Sequence, residues 1–283
     1  MAYDRLRELE RVRRFYDGDN MQKRFSALIT GETNSGKTFL LRTARLPVHI
    51  DSFDPGGTKC LRKWIDEGWI VADTQWETED PFNPRIYAEW KKTTELRIKI
   101  GYFEQFGTYC IDSLTTFGQA AMNYQLNLKG DAGGVPQHRR DYNPQKVEIE
   151  NQIRRLMNLP CDFIVTGHLR EMRDLRSIDK STGIKYEDVR YRLHITGQAV
   201  VTVPLLFDEL YVLIGKGNPP RREMLIDSLG TYVARSRLKA DGKLSSSEEP
   251  NIKKLLKKAG LDWEDKPRLK GGDESNQNQV ERR

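Results

Sequence analysis

Residues 31–38 of the chain read Gly31-Glu-Thr-Asn-Ser-Gly36-Lys37-Thr38, and every fixed position of the pattern GxxxxGK[ST] is filled. An apolar run, 25–30, precedes them, and Phe39-Leu-Leu-Arg-Thr-Ala-Arg follows with helical character. A strand, a glycine-bearing loop and a helix in that order form a phosphate-binding loop. Gly31 and Gly36 allow the backbone to turn several N–H groups toward one point. The N–H groups of Glu32, Thr33, Asn34, Ser35 and Phe39 belong to the same cradle. Lys37 reaches the β- and γ-phosphates of a nucleotide, and Thr38 offers its hydroxyl to a magnesium ion. The pattern therefore implies ATP and Mg²⁺ as cofactors.

The rest of the chain fits a fold that carries such a loop. Strand-length apolar runs recur at 47–51, 69–73, 108–112, 162–167 and 208–214. Helix-like segments at about 37–45, 57–67, 84–103, 113–127 and 144–158 lie between several of them. This alternation predicts an α/β fold, a mostly parallel twisted sheet with helices on both faces. Such sheets hold ligands at the carboxyl ends of their strands. The run Thr108-Tyr-Cys-Ile-Asp112 ends on a carboxylate, the Walker B pattern, and Asp112 is the expected metal-side acid. The next residue is Ser113, where many P-loop motors carry a water-activating Glu. Asp51 and Asp54, around the end of the run that follows the loop's helix, are the candidate bases, and a turn- or helix-capping role competes for each.

Composition narrows the class. With 283 residues, 47 Lys and Arg against 41 Asp and Glu and a net charge of +6, the chain carries a mild basic excess that permits a polyanionic partner without demanding one. No apolar stretch approaches a membrane span. The charged start MAYDRLRELERVRRF argues against a signal peptide, so the expected compartment is the cytoplasm. Cys60, Cys110 and Cys161 make neither a disulfide framework nor a zinc spacing, and are expected to be buried and reduced.

Four segments are expected: an amphipathic helix over 1–22, an ATPase core over 23–240, a basic helical extension over 241–265 and a disordered tail over 266–283. Two polar stretches, 129–142 and 170–192, read as long loops.

GETNSGKT, then Thr108-Tyr-Cys-Ile-Asp-Ser-Leu-Thr115, then Phe163-Ile-Val-Thr-Gly-His168, together with Leu193-His-Ile-Thr-Gly197-Gln, Phe207-Asp-Glu-Leu-Tyr-Val and Tyr232-Val-Ala-Arg-Ser-Arg237, give the chain a resemblance. It resembles RecA-like P-loop NTPases. More closely it is similar to the phage-borne AAA-labelled nucleotide-binding proteins that include the Sak-type single-strand-annealing ATPases, over roughly residues 22–240. The resemblance implies an ATPase acting on single-stranded DNA in recombination or annealing. It implies a homo-oligomer with the active site between subunits, possible dealings with a single-strand-binding protein, and no membrane. It gives His168 the role of γ-phosphate sensor. It places the stretches bearing Arg139, Arg140, Arg173, Arg176, Lys180 and Lys185 where DNA is held, although interspersed acids dilute their field. It likens Arg235 and Arg237 to a pair of cations offered to a neighbour's γ-phosphate; surface arginines on an edge strand are the plain alternative. Departures remain: Phe53 and Asp54 stand near the place of a catalytic Glu, and Tyr142, Tyr186 and Tyr191 are the nearest substitutes for a base-stacking patch. A DNA translocase or packaging motor, a nucleotide-gated scaffold with little turnover, and a small-molecule kinase are the competing functions.

Overall fold

The computed structural model describes residues 4–18, 24–178, 185–216 and 221–269. Nine strands form a sheet: β1 (Ser26–Gly31), β2 (Val48–Ser52), β3 (Ile70–Asp73), β4 (Thr108–Asp112), β5 (Asp162–Ile178), β6 (Lys185–Leu193), β7 (Glu209–Lys216), β8 (Arg221–Leu225) and β9 (Ser247–Glu248). Their order is β3-β2-β4-β5-β1-β7-β8-β9, with β6 paired to β5 alone. The pairs of β2 with β3 and β4, of β4 with β5, and of β1 with β5 and β7 are parallel, while β8, β9 and β6 join antiparallel. The expected mostly parallel α/β sheet is present.

Alternation within the strands builds two cores. Ala27 and Ile29 of β1 face one side with Ile50, Cys110 and Ile164, while Leu28 faces the other with Ile111 and Val165. The first side is covered by α2 (Lys37–Leu40), α3 (Arg62–Asp66) and α8 (Ile252–Ala259), through Leu40, Trp64 and Leu255. The second is covered by α4 (Ile86–Lys99), α5 (Leu114–Asn127), α6 (His138–Leu156) and α7 (Ala199–Thr202), through Trp90, Phe117, Ile149 and Ala199. Helices therefore lie on both faces, as expected.

Several boundaries differ from the sequence reading. Residues 170–178 and 185–192 are not loop: β5 runs on past the sheet and pairs with β6 from Leu169↔Leu193 to Ile178↔Lys185, an antiparallel ribbon, and 179–184 lie outside the described residues. The density of charged residues hid it, because such a run lacks the apolar alternation of a half-buried strand. The stretch 129–142 is likewise ordered. α6 starts at His138 and runs through Pro144, and the buried Asp141 carboxylate accepts from the Gln137 N–H (2.7 Å), Lys129 Nζ (2.6 Å) and Arg140 Nε (3.3 Å). The segment 241–265 is not a separate extension, since Leu244, Ile252, Leu255 and Leu256 complete the first core. Lys266, read as the start of a disordered tail, is tied to the core: its N–H donates to Leu46 O at 2.8 Å and its ammonium to Glu104 O at 2.7 Å; residues 270–283 lie outside the described residues. Helix α1 (Arg5–Gly18) forms where expected, but Leu6 and Phe15 are 73% and 67% exposed, so its apolar stripe covers none of its own core. Cys110 and Cys161 are buried, but Cys60 is exposed because it sits on the outer turn after β2.

Candidate active site

The loop after β1 has the form its glycines require. Gly36 takes φ 95°, and Asn34 joins it in the left-handed region at φ 64°. A Cβ on Gly31 would lie 2.8 Å from Leu213 O, so only glycine fits there. Ser35 Oγ is buried without a partner among the described residues. Lys37 is buried, and its ammonium donates to Gly31 O (3.0 Å) and Glu32 O (2.9 Å). Burial lowers its pKa, while the charges of Asp112 and Asp54 pull it back up. Glu32, Thr33 and Asn34 are exposed along the outer rim of the loop. The Phe39 ring turns away onto Trp64, with the Arg42 guanidinium 4.2 Å over it, which leaves the Phe39 backbone as its contribution to the cradle.

Asp112 stands beside Lys37 at the end of β4. Its carboxylate accepts from Thr38 Oγ1 at 2.6 Å and from Thr166 Oγ1. Burial raises its pKa, against the two hydroxyl bonds that lower it. The peptide that follows, Asp112–Ser113, is cis. A buried carboxylate joined to the loop threonine, next to a second carboxylate and a lysine, is the donor set that a phosphate-bound Mg²⁺ requires. Thr38 and Asp112 would hold that ion, which neutralises phosphate charge when bound.

Of the two candidate bases, the structure brings Asp54 to this centre and places Asp51 elsewhere. Asp54 Oδ1 accepts from Ser113 Oγ (2.9 Å) and Thr116 Oγ1 (2.5 Å), and Oδ2 lies 3.0 Å from His168 Nε2. Burial would raise its pKa, but the bonds from His168, Thr116 and Ser113 together hold it below the usual carboxylate range. Glu77 fixes the loop that carries it, accepting from Ser52 Oγ at 2.7 Å and the Gly56 N–H at 2.8 Å. Asp51 is fully buried under α4 and accepts from Tyr109 Oη (2.6 Å), Trp90 Nε1 (2.7 Å), Trp76 Nε1 (3.2 Å) and Arg97 Nη1 (3.2 Å), with His49 Nε2 at 2.9 Å. His49, Asp51 and Asp73 are close enough to suggest a metal cluster, but Arg97 bonds to both carboxylates and is the cation there.

His168 is the residue at which β5 leaves the sheet, opposite Gly31 of the loop. Its N–H donates to Thr115 Oγ1 at 3.2 Å, and its carbonyl accepts from the His194 N–H at 2.7 Å. A second link joins loop to ribbon. Tyr191 of β6 stacks on Tyr232, ring centroids 4.8 Å apart and 14° from parallel, and the Tyr232 pKa is raised by burial first and then by the nearby Glu32 carboxylate.

Two of the six expected DNA contacts are engaged within the chain. Arg140 pairs with Asp131 and Asp141, and Arg173 with Glu171 at 2.5 Å. The Arg139, Arg176 and Lys185 side chains, and all of Lys180, lie outside the described residues. What sequence reasoning missed is the ribbon's pairing: Arg170 stands directly across from Arg192, and Arg190 follows on the same face opposite Met172. Among the described residues, none of these three guanidiniums has an acidic partner. The expected trans-acting pair is engaged inside its own chain. Arg235 donates to Pro204 O (2.8 Å) and Phe207 O (2.9 Å), and Arg237 pairs with Asp208 at 2.6 Å. Both sit near the start of β7, at the opposite edge of the sheet from the phosphate loop.

A phosphate loop, a hydroxyl-bound Walker B carboxylate and a carboxylate–imidazole pair on one sheet edge define a P-loop ATPase. The sequence matches the AAA domain family over residues 23–238, and the chain belongs to that family. Among curated proteins none matches its sequence. Among solved structures, it is similar at 16% identity and TM-score 0.40 to a prototypical ATPase from the type III secretion system of pathogenic bacteria; the match covers 67% of this chain and 52% of that one. No helix among the described residues is long and apolar enough to cross a membrane.

Proposed function

We propose that the protein hydrolyses ATP and couples the state of the nucleotide to single-stranded DNA held on the β5–β6 ribbon, in recombination or annealing of the phage type. The observation that carries this reading is the continuity of one strand: β5 brings His168 to Asp54 and then, two residues on, carries Arg170 onto a ribbon face with Arg190 and Arg192. Guanidiniums in a row without acidic partners suit a phosphodiester backbone. Asp54, held ionised beside His168, is the group to take a proton from an attacking water, and Lys37 carries phosphate charge.

Because Arg235 and Arg237 are tied within their own chain, slow turnover is the second reading: a nucleotide-gated DNA binder that changes state on binding ATP. Steady-state hydrolysis by the protein and by Lys37→Ala, with and without single-stranded DNA, separates the two. Several-fold stimulation by DNA, abolished in the variant, supports coupled hydrolysis. Slow turnover indifferent to DNA, with ATP-dependent DNA binding intact, supports the gated binder. Indifference of DNA binding to nucleotide overturns both.

A further inference from the structure

The antiparallel strand β8 begins at the same sheet edge where the parallel strands end, and Arg222 near its start pairs across from Gly215 of β7. Met224, two residues on, is buried in the core beneath α2, so Arg222 emerges on the α2 side. Its guanidinium comes to rest over the phosphate loop. A Cβ on Gly36 would lie 2.8 Å from Arg222 Cζ and Nη1 and 3.0 Å from Nε. Arg222 is exposed and has no acidic partner among the described residues.

A cation held against a loop that gathers N–H groups, with the buried Lys37 ammonium beside it, sits against positive charge. An anion between them turns this arrangement into attraction, and a guanidinium binds phosphate oxygens through paired N–H groups. The sheet order sets which phosphates are within its reach. Asp112, Asp54 and His168 come from β4, the turn after β2 and β5, on one side of β1, whereas β7 and β8 lie on the other. The end of the nucleotide where hydrolysis occurs belongs to the first side, next to Asp112 and Asp54. The inner phosphates are left to the second.

We propose that Arg222 is a nucleotide-binding residue supplied by the same chain, whose guanidinium contacts the α- and β-phosphates shared by ADP and ATP. The proposal rests on the phosphate-loop reading and assigns to β8 a role distinct from that of an arginine acting on the transferring phosphoryl group.

The test is titration with fluorescent ADP and ATP analogues of the full chain, Lys37→Ala, Arg222→Ala and Arg222→Lys, each checked by its melting temperature without nucleotide. Arg222→Ala is expected to weaken ADP and ATP alike by about 10- to 100-fold, the effect typical of removing a charge-assisted hydrogen bond. Arg222→Lys is expected to recover part of this, with the nucleotide-free melting temperatures unchanged. Unchanged affinity in Arg222→Ala, beside weakened binding in Lys37→Ala, overturns the proposal and leaves the phosphate-loop reading standing. Tighter binding overturns it by making the guanidinium a plug, and an effect confined to ATP overturns it by moving the guanidinium to the terminal phosphate. No binding by the unaltered chain overturns both readings.

Discussion

His168 Nε2 lies 3.0 Å from Asp54 Oδ2, so the last sheet residue before the ribbon touches the carboxylate proposed as the base. Asp54→Asn keeps the size of the side chain but removes the base. Hydrolysis is expected to fall by about 10²- to 10⁴-fold with nucleotide affinity nearly unchanged. Single-turnover rates beside ADP and ATP titrations check this; a rate close to that of the parent excludes Asp54 as the base.

Asp51→Asn is expected to behave differently. The Asp51 carboxylate accepts from two indoles, a phenol and a guanidinium while fully buried, and removing its charge leaves Arg97 and His49 short of a partner. Loss of stability of about 3–5 kcal/mol is expected in urea unfolding. The two aspartates, near neighbours in sequence, are thus separable by assay: one variant folds and is inactive, the other unfolds early.

Asp162 gives a pH signature. Burial pushes its pKa up from 3.8 to about 6, Arg45 opposes this, and its Oδ2 is buried without a partner among the described residues. The folded state therefore holds a proton that the unfolded chain has released, and stability falls as pH rises through the window from 3.8 to about 6. The full effect is about 3 kcal/mol. Asp162→Asn, which cannot ionise, is expected to flatten that slope in denaturant curves taken across this window and just above it; an unchanged slope would remove Asp162 as its source.

The ribbon face is tested by Arg170→Ala, Arg190→Ala and Arg192→Ala together. Single-stranded DNA affinity is expected to drop, and the salt dependence of binding to flatten by about 2 in log–log slope, near 0.7 for each phosphate no longer neutralised. ATP affinity is expected to hold. Arg140→Ala, already paired with Asp131 and Asp141, is expected to leave the slope unchanged.

The phosphate loop, Asp112 and the sheet that carries them were legible because each rests on local pattern: glycines at fixed spacing, and apolar runs ending in a carboxylate. Asp54 and His168 were legible as strand-end residues, but their meeting was not, since 114 positions separate them along the chain. Thr116 and Glu77 carried no signal, and Thr166 entered only within the run ending on His168; hydroxyls and single acids become informative only when folding brings them to Asp54, Asp112 or the turn between them. The ribbon was misread because a densely charged run leaves no apolar period. Arg222 stayed hidden for a related reason, as its meaning lies in which strand neighbours β1 two places away. Spacing along a chain likewise says nothing of which carbonyl or carboxylate a guanidinium finds first, and Arg235 and Arg237 find theirs at home.

β5 is 17 residues long, and it belongs to the core at one end and to the ribbon at the other. No joint separates the two, so the ribbon inherits the orientation of a strand clamped between β4 and β1. From Leu169 to Ile178 is about 30 Å at the usual rise of a strand. A tilt of about ten degrees at the root would sweep the far end through about 5 Å, close to the spacing between neighbouring strands of a sheet. Under the function proposed above, no hinge is needed to turn an event at Asp54 into displacement of the ribbon: the gearing is the length of a single strand.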